Sequence, residues 1–336
     1  MSARNDCGCG FRLAFQWLAY TGLFLSLIGI SSPAAAAGRT AFPVLQELVD
    51  PRCLALGGAT IADDGWGGGV LLNPAAAVGA ARSGSVNYAR HTLDLWSGRL
   101  SLNYPVSGNL MAGGYITSFD YGKFDHTGDA ATDEFSAGEY VLGLFAARRL
   151  MSGLGGGATV KMVWGQLAGA HASGVAVDAG LVFDPKWERL RFGLALRNLG
   201  RQQDGYSREK FPLPTEVVVG GARKLLYLPL TLNVAVSLSR TGEGTWEADF
   251  LPGKPGISAV GGGEFVIPTR KDGQAVKLRL GYRSLGQDLR VGTNSDMLAG
   301  FSFGIGLPVN RYQFDFAFAP MGALGEVHRF GFTTKF

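Results

Sequence analysis

Cysteine is scarce. Of 336 residues only Cys7, Cys9 and Cys53 are cysteine, too few and too unevenly placed for a disulfide scaffold. Four scattered histidines leave little for a His-rich metal centre. Charged residues make up 17% of the chain and the net charge is +4, too weak and dispersed a balance to point to nucleic acid. Low charge combined with 11% aromatic residues also excludes a long disordered region. Beyond the first thirty or so residues, no predominantly apolar run reaches the ~18 residues of a membrane helix. Glycine, by contrast, is abundant at 51 residues. Each interior glycine costs a helix about 1 kcal/mol against alanine, so an ordinary helical globule is excluded as well.

The amino terminus reads as an export signal. Arg4 and Arg12 supply the positive start, and Leu13 to Ile30 carries no charge. Ser31, Ser32 and Pro33 break the run, and Ala34 to Ala37 offer an A-x-A cleavage site before Gly38. Residues 1–37 are therefore expected to be a signal peptide; the alternative is a retained membrane helix. Cys7 and Cys9 precede the apolar run, where a lipid-modified cysteine would follow it. Cys53 is then the one thiol of the mature chain, and such a cysteine is usually a small buried apolar residue.

The rest of the chain alternates with a period of two. In Arg311 to Phe318, Tyr312, Phe314, Phe316 and Phe318 share one face. Val276, Leu278, Leu280 and Tyr282 oppose Lys277, Arg279, Gly281 and Arg283, and the same pattern runs through Leu190 to Arg197 and Leu230 to Ser239. Alternation over segments near ten residues marks membrane-spanning β-strands. Read throughout, it gives about 14 strands between residue 83 and the carboxyl end, an even number that suits a bacterial barrel. Strands are expected, for example, at 154–164, 173–184 and 297–306. Connections alternate between short turns, such as 106–109 and 151–153, and long loops at 122–135, 165–172, 200–214, 241–256 and 286–296. The first hairpin, near His91, is tight where a long loop is due. Aromatic residues gather toward strand ends, at Tyr104, Trp164, Phe183, Tyr282, Tyr312 and Phe336, as interfacial girdles do. The fold class is thus all-β, a transmembrane antiparallel barrel over residues 82–336. A soluble exported β-domain is the alternative.

Motifs for chemistry fail on inspection. Leu154 to Lys161 (LGGGATVK) lacks the G-K-[ST] of a phosphate loop and no helix follows. His171, Ser173 and Asp178 invite a hydrolase triad, but Asp178 lies on a strand face several residues away. Asp125, His126, Asp129, Asp133 and Glu134 crowd one loop without EF-hand spacing. No enzyme and no cofactor are expected.

With the apolar face turned to lipid, Arg99, Lys161, Arg191, Arg197, Lys277, Arg279, Arg283, Arg311, Arg329 and Lys335 point into the lumen, with Asp178 and Asp315 among the few inward acids. These cations either pair with carboxylates of wall, loop or plug, or line a path for anions. Residues 38–81 precede the first strand and form a separate unit. Phe42 to Val49 is expected as a short helix with Phe42, Leu45, Leu48 and Val49 on one side. The stretch after it is too glycine-rich for a helix: Gly57 and Gly58 permit tight turns, and Asn73-Pro74 opens one. A segment of this size folds into the lumen as an N-terminal plug or hangs as a periplasmic tail.

The segment from Leu54 to Ala77 (LALGGATIADD…NPAAA) resembles the amino-terminal signature of the PorV/PorQ outer-membrane family, which belongs to the wider FadL-like group of 14-stranded barrels. Gly57, Gly58 and Ala59 match its Gly-Gly-Ala, Asp63 and Asp64 its acidic pair, and Asn73, Pro74 and Ala75 its Asn-Pro-Ala. Asp315 to Pro320, with Gly322, Leu324, Gly325, His328 and Arg329, resembles its closing hairpin; Met321, Ala323 and Glu326 depart from it. The resemblance implies an amino-terminal hatch, with Gly57, Gly58, Asp63, Asp64, Asn73 and Pro74 as its motif, and an aromatic terminus, Phe336, read by the barrel-assembly machinery. It implies an outer-membrane location, contact with outer-membrane lipid, and a non-enzymatic role with secretion-system components or secreted cargo. The alternative is a FadL-like transporter of hydrophobic small molecules. A greasy substrate needs an apolar lining, whereas the inward positions read as glycine, alanine, serine and arginine. A pocket at the hatch or an opening toward lipid would supply what the wall lacks.

Overall fold

The computed structural model describes residues 40–63, 65–93, 95–124, 134–186, 189–239, 257–269, 274–284, 297–322 and 325–336. Fourteen strands form one closed antiparallel sheet. They are β1 (Ser83–Arg90), β2 (Trp96–Ser107), β3 (Leu110–Phe124), β4 (Phe135–Met151), β5 (Leu154–Leu167), β6 (Ala170–Phe183) and β7 (Leu190–Asp204). The second half comprises β8 (Glu216–Lys224), β9 (Leu230–Ser239), β10 (Ile257–Pro268), β11 (Ala275–Arg283), β12 (Phe301–Val309), β13 (Tyr312–Pro320) and β14 (Glu326–Lys335). Each strand pairs with its sequence neighbours, and β1 closes the cylinder on β14 from Ser83↔Lys335 to Arg90↔His328. Closure leaves no edge, which is the one way a sheet can satisfy its backbone within hydrocarbon.

The pleat sorts the side chains as the alternation demands. Along β2, Leu100, Leu102 and Tyr104 are exposed, while Ser97, Arg99, Ser101 and Asn103 are buried. Along β5, Val160, Met162 and Trp164 face out and Thr159, Lys161 and Val163 face in. Such a continuous apolar exterior is incompatible with water, where apolar patches rarely exceed a few hundred Å². Aromatics cluster at both ends of the cylinder. Tyr104, Phe183 and Phe336 lie outward at the end carrying the chain terminus, and the stacked pairs Tyr140–Trp164 and Tyr88–Trp96 lie at the other.

Several expectations are corrected. Residues 165–172 are no long loop: β5 and β6 run on to a two-residue turn in which Ala168 (φ 49°) and Gly169 (φ 82°) take left-handed backbone. Strand β12 starts at Phe301 rather than 297 and continues through Pro308, which pairs with Gln313. Tyr282 is buried, 6% exposed, and packs on Phe301 instead of standing in the outer belt. The single helix expected over 42–49 is a 3-10 turn at Pro43–Gln46, and the helix proper, α1, spans Pro51–Ala55. Asp50 caps α1 by accepting from the Arg52 and Cys53 amides, with Pro51 at its first position, a pairing suited to a helix start. Arg311 is not in the lumen. It sits exposed in the β12–β13 turn, stacked over the Tyr312 ring at 5.1 Å, because β13 begins one residue later than the alternation suggested. Residues 1–39, Asp64 and the acidic loop positions 125–133 lie outside the described residues.

The sided sheet makes a direct prediction. Leu100→Arg, near the middle of β2 on the outer face, should destabilise the protein in lipid vesicles by about 2–4 kcal/mol, the usual loss for a cation at the bilayer midplane. Denaturant titration of the vesicle-inserted protein measures it, and an unchanged midpoint would show that this face does not meet hydrocarbon.

Candidate functional site

Residues 40–82 touch almost every strand from inside. The Pro43–Gln46 turn meets β3 and β4, α1 meets β11 to β14, and two further 3-10 turns, at Gly67–Leu71 and Pro74–Ala77, meet β2 and β4–β6. Ile61 abuts Gly193 of β7 and Gly220 of β8, and Leu56 abuts Gly262 of β10. A segment in contact with opposite sides of a closed cylinder occupies its interior. Val49, Cys53, Leu56, Ile61, Val70 and Ala75–Ala77 are all at most 1% exposed.

The wall's inward glycines are sockets for this segment. A Cβ on Gly180 would lie 1.9 Å from Asn73 Oδ1, one on Gly193 2.2 Å from the Ile61 carbonyl oxygen, and one on Gly281 2.2 Å from the Gly57 nitrogen. Any side chain there would push the segment off the wall. Gly57 (φ 66°) and Gly58 (φ 89°) end α1 in left-handed backbone, and Gly57 also lies so close that a Cβ would fall 2.6 Å from the Tyr282 carbonyl. Asn73 ties three points together. Its Nδ2 donates to the Ile61 carbonyl at 2.7 Å and to the Leu181 carbonyl of β6 at 3.0 Å, and its Oδ1 accepts from the Ala75 amide at 3.0 Å. Pro74 then fixes the first position of the following turn.

Charge clamps the same segment. Arg52 Nη1 donates to Asp63 at 2.6 Å and its Nε to Glu264 of β10 at 3.0 Å. Arg279 bridges Glu264 at 2.7 Å and Asp315 at 2.6 Å, and Arg191 reaches Asp63 at 3.4 Å. Three guanidiniums thus interleave with three carboxylates, and Arg52 also stacks over the Trp66 ring at 4.4 Å. Burial alone would lower the Arg52 pKa, but Asp63 and Glu264 outweigh it and hold the residue charged. Elsewhere Arg197 pairs with Glu216, Lys161 with Asp178 at 2.6 Å, and Arg329 with Glu47. Arg99, 2% exposed, lies over the Tyr115 ring at 4.4 Å. Of the two readings of the inward cations, pairing describes most of them. The sequence reading overlooked Arg52, Glu47, Glu139 and Glu264, although Glu139 and Glu264 both fall on inward positions of their strands.

A cavity of about 260 Å³ lies between this segment and the wall at the loop end. Leu48, Leu54, Phe301 and Val327 supply apolar surface, while Arg283, Arg329, Glu47 and His91 supply polar groups. Arg283 Nε donates to the Gly57 carbonyl at 3.3 Å, fixing one cation at the rim. His91 Nε2 lies 2.9 Å from Ser97 Oγ and 3.8 Å from Glu47. Burial lowers the His91 pKa, with Glu47 opposing, so the imidazole is held toward its neutral form. Leu48 and Leu54 of the inner segment share the apolar lining with Phe301, Ala319 and Val327 of the strands, so inward strand positions alone give only part of it. Phe336 stands exposed at the β14–β1 seam, its amide donating to the Arg82 carbonyl.

Solved structures with this fold include the CymD monoaromatic hydrocarbon channel (12% identity, TM-score 0.56, covering 86% of this chain and 97% of that one). The Pseudomonas putida toluene transporter TodX aligns at 11% identity and TM-score 0.54, over 90% and 97% of the two chains. A Pseudomonas aeruginosa FadL homologue aligns at 10% identity and TM-score 0.54, over 86% and 98%. The chain therefore has the closed 14-strand fold of FadL-like outer-membrane barrels. No protein-family profile matches it, and no curated protein is similar to it in sequence.

Two measurements probe the inner segment. Cys53 is fully buried and its thiol is pushed up to about 12, chiefly by desolvation, so it should resist maleimide at pH 8 in folded protein lacking residues 1–37 and react fully in denaturant. Asn73→Ala removes a side chain that serves three backbone groups, a loss of roughly 1–3 kcal/mol per stranded partner. It should raise the Cys53 labelling rate at least ~10-fold while the barrel keeps its heat-modifiable mobility on gels; unchanged labelling would show that Asn73 does not hold the segment.

Proposed function

We propose that this chain is an outer-membrane conduit for small hydrophobic or amphipathic molecules, with residues 38–81 serving as its hatch. The observation that carries the reading is the cavity at the hatch–wall contact, where Leu48, Leu54, Phe301 and Val327 face Arg283 and Arg329. Apolar walls with a few convergent polar groups are the usual form of a small-molecule site. At about 260 Å³ the cavity falls just below the ~300–1,000 Å³ of drug-sized pockets. It suits a single aromatic ring or part of an alkyl chain, with any carboxylate directed at the two arginines. The names of the structural neighbours, hydrocarbon and toluene channels, favour the same class of cargo.

A role with secretion-system components or secreted cargo rests on the likeness of the two chain ends to PorV/PorQ. No feature of the cavity adds to it, and the transport reading takes precedence. In the proposed assembly pathway Phe336 is the terminal aromatic offered to the barrel-assembly machinery.

The test is uptake by vesicles carrying the purified barrel, with toluene as the uncharged probe and a medium-chain fatty acid as the anionic one. Wild type should exceed empty vesicles for at least one probe. Leu48→Asp, which places a carboxylate in the apolar half of the cavity, should cut that uptake by about tenfold or more, equivalent to ~1.4 kcal/mol. Arg329→Gln should impair the acid more than toluene. Uptake no greater than in empty vesicles for both probes would overturn the proposal.

A further inference from the structure

The outer wall of a barrel is convex, so a groove on it needs missing side chains. One lies on the face formed by β14, β1, β2, β3 and β4, with a volume of about 540 Å³. The register shows how it arises. Thr334, Gly84, Leu102 and Gly114 form one outward row across neighbouring strands, and Phe332, Val86, Leu100, Ile116 and Leu142 form the next. In the first row every second large side chain is absent. A Cβ on Gly84 would meet the Leu102 side chain at 3.2 Å and Phe336 at 3.7 Å, and one on Gly114 would meet Leu144 at 2.9 Å. These glycines leave a trough walled by the second row. At ~4.8 Å per strand, five strands give a trough roughly 19 Å long. That is comparable with the ~15 Å of hydrocarbon in one leaflet of a ~30 Å core. A second depression of about 370 Å³, over β12 to β14 and β1, shares Val86 and Phe332 with the first as a common ridge.

The end of the trough is charged. Arg82 precedes Gly84 by two residues on the same outward side and is exposed, its guanidinium over the Tyr104 ring at 4.9 Å and the Phe336 ring at 4.6 Å. The rings hold the cation at interface depth, and no carboxylate among the described residues pairs with it. The same rim carries exposed Arg148, Arg149, Lys224, Arg311 and Lys335, a distribution that attracts anionic headgroups.

We infer that this seam is a binding site for one glycerophospholipid of the leaflet on the side of the carboxyl terminus. Its phosphate lies on Arg82, one acyl chain in the Gly84–Gly114 trough and the other across the Val86–Phe332 ridge. The lipid's two tails match two adjoining grooves, and its one phosphate matches the one aromatic-framed arginine between them and water. The site stands on the barrel's outer face and is independent of what the interior conducts.

Native mass spectrometry of the barrel in mild detergent, with phosphatidylglycerol and phosphatidylethanolamine added in turn, tests this. Wild type should retain one phospholipid, with phosphatidylglycerol preferred. Gly84→Leu fills the trough and should lower retention by about tenfold. Arg82→Gln should abolish the preference between the two lipids while leaving some retention. Gly221→Leu makes the same change at an outward glycine beside Phe192, away from the seam, and should leave retention unchanged. Heat-modifiable mobility confirms folding of each variant. No retained phospholipid in wild type, equal loss in Gly221→Leu, or selective capture of lipopolysaccharide instead would overturn the assignment.

Discussion

Hydrocarbon offers a polypeptide backbone no hydrogen-bonding partner, and that single deficiency shapes the molecule. The fourteen strands must close, and a closed cylinder of this size encloses space. Here residues 40–82 fill that space, and the wall is built to receive them. The inward glycines, costly to a strand in conformational entropy, are retained where backbone meets backbone. Glycine richness, the feature that first excluded a helical globule, is therefore the negative image of the inner segment.

Charge has a different part. Burying an ion pair often contributes little net stability, because desolvation offsets the attraction. Removing one member is another matter, since it strands the partner at a cost of about 3–5 kcal/mol. The chain Arg191–Asp63–Arg52–Glu264–Arg279–Asp315 thus works as a registration device. It allows one seating of α1 against β10, β11 and β13 and penalises every other. Most inward arginines pair with carboxylates contributed by the inner segment or the wall; Arg99 lies instead over the Tyr115 ring, and Arg283 and Arg329 line the cavity.

The barrel was legible because its signal is local. Period-two alternation needs no knowledge of the partner strand, and thirteen hairpin connections in sequence order leave little topological choice. Errors fell where local pattern and tertiary pairing part company: at Ala168–Gly169, where two strands extend beyond their alternation, and at Arg311, one residue outside its strand. The inner segment was legible only as motifs. Asn73-Pro74 announces a turn, but its bond to the Leu181 carbonyl spans 108 residues and has no local trace. Asp50-Pro51 was a readable helix start that the apolar spacing of Phe42 to Val49 obscured. The cavity could not be read from the strands alone, because part of its lining arrives from residues that do not alternate.

How such a molecule would let cargo pass is constrained by magnitude. A ligand with millimolar to micromolar affinity supplies about 4–8 kcal/mol, and a ligand shifts an equilibrium only by its differential affinity for the two states. Expelling the whole inner segment would break the Arg52 clamp, the Arg329–Glu47 pair and the Asn73 bonds together, and each buried pair alone approaches the lower part of that range. Binding of a small apolar molecule cannot drive so large a displacement. What it can drive is a local change beside the cavity, where Glu47 and Leu48 meet the wall through the Arg329–Glu47 ion pair and apolar contacts. Under the proposed transport reading, conduction is therefore expected to open a side passage past Glu47 and Leu48 while the Arg52 clamp of α1 and the Asn73 anchor on β6 stay in place.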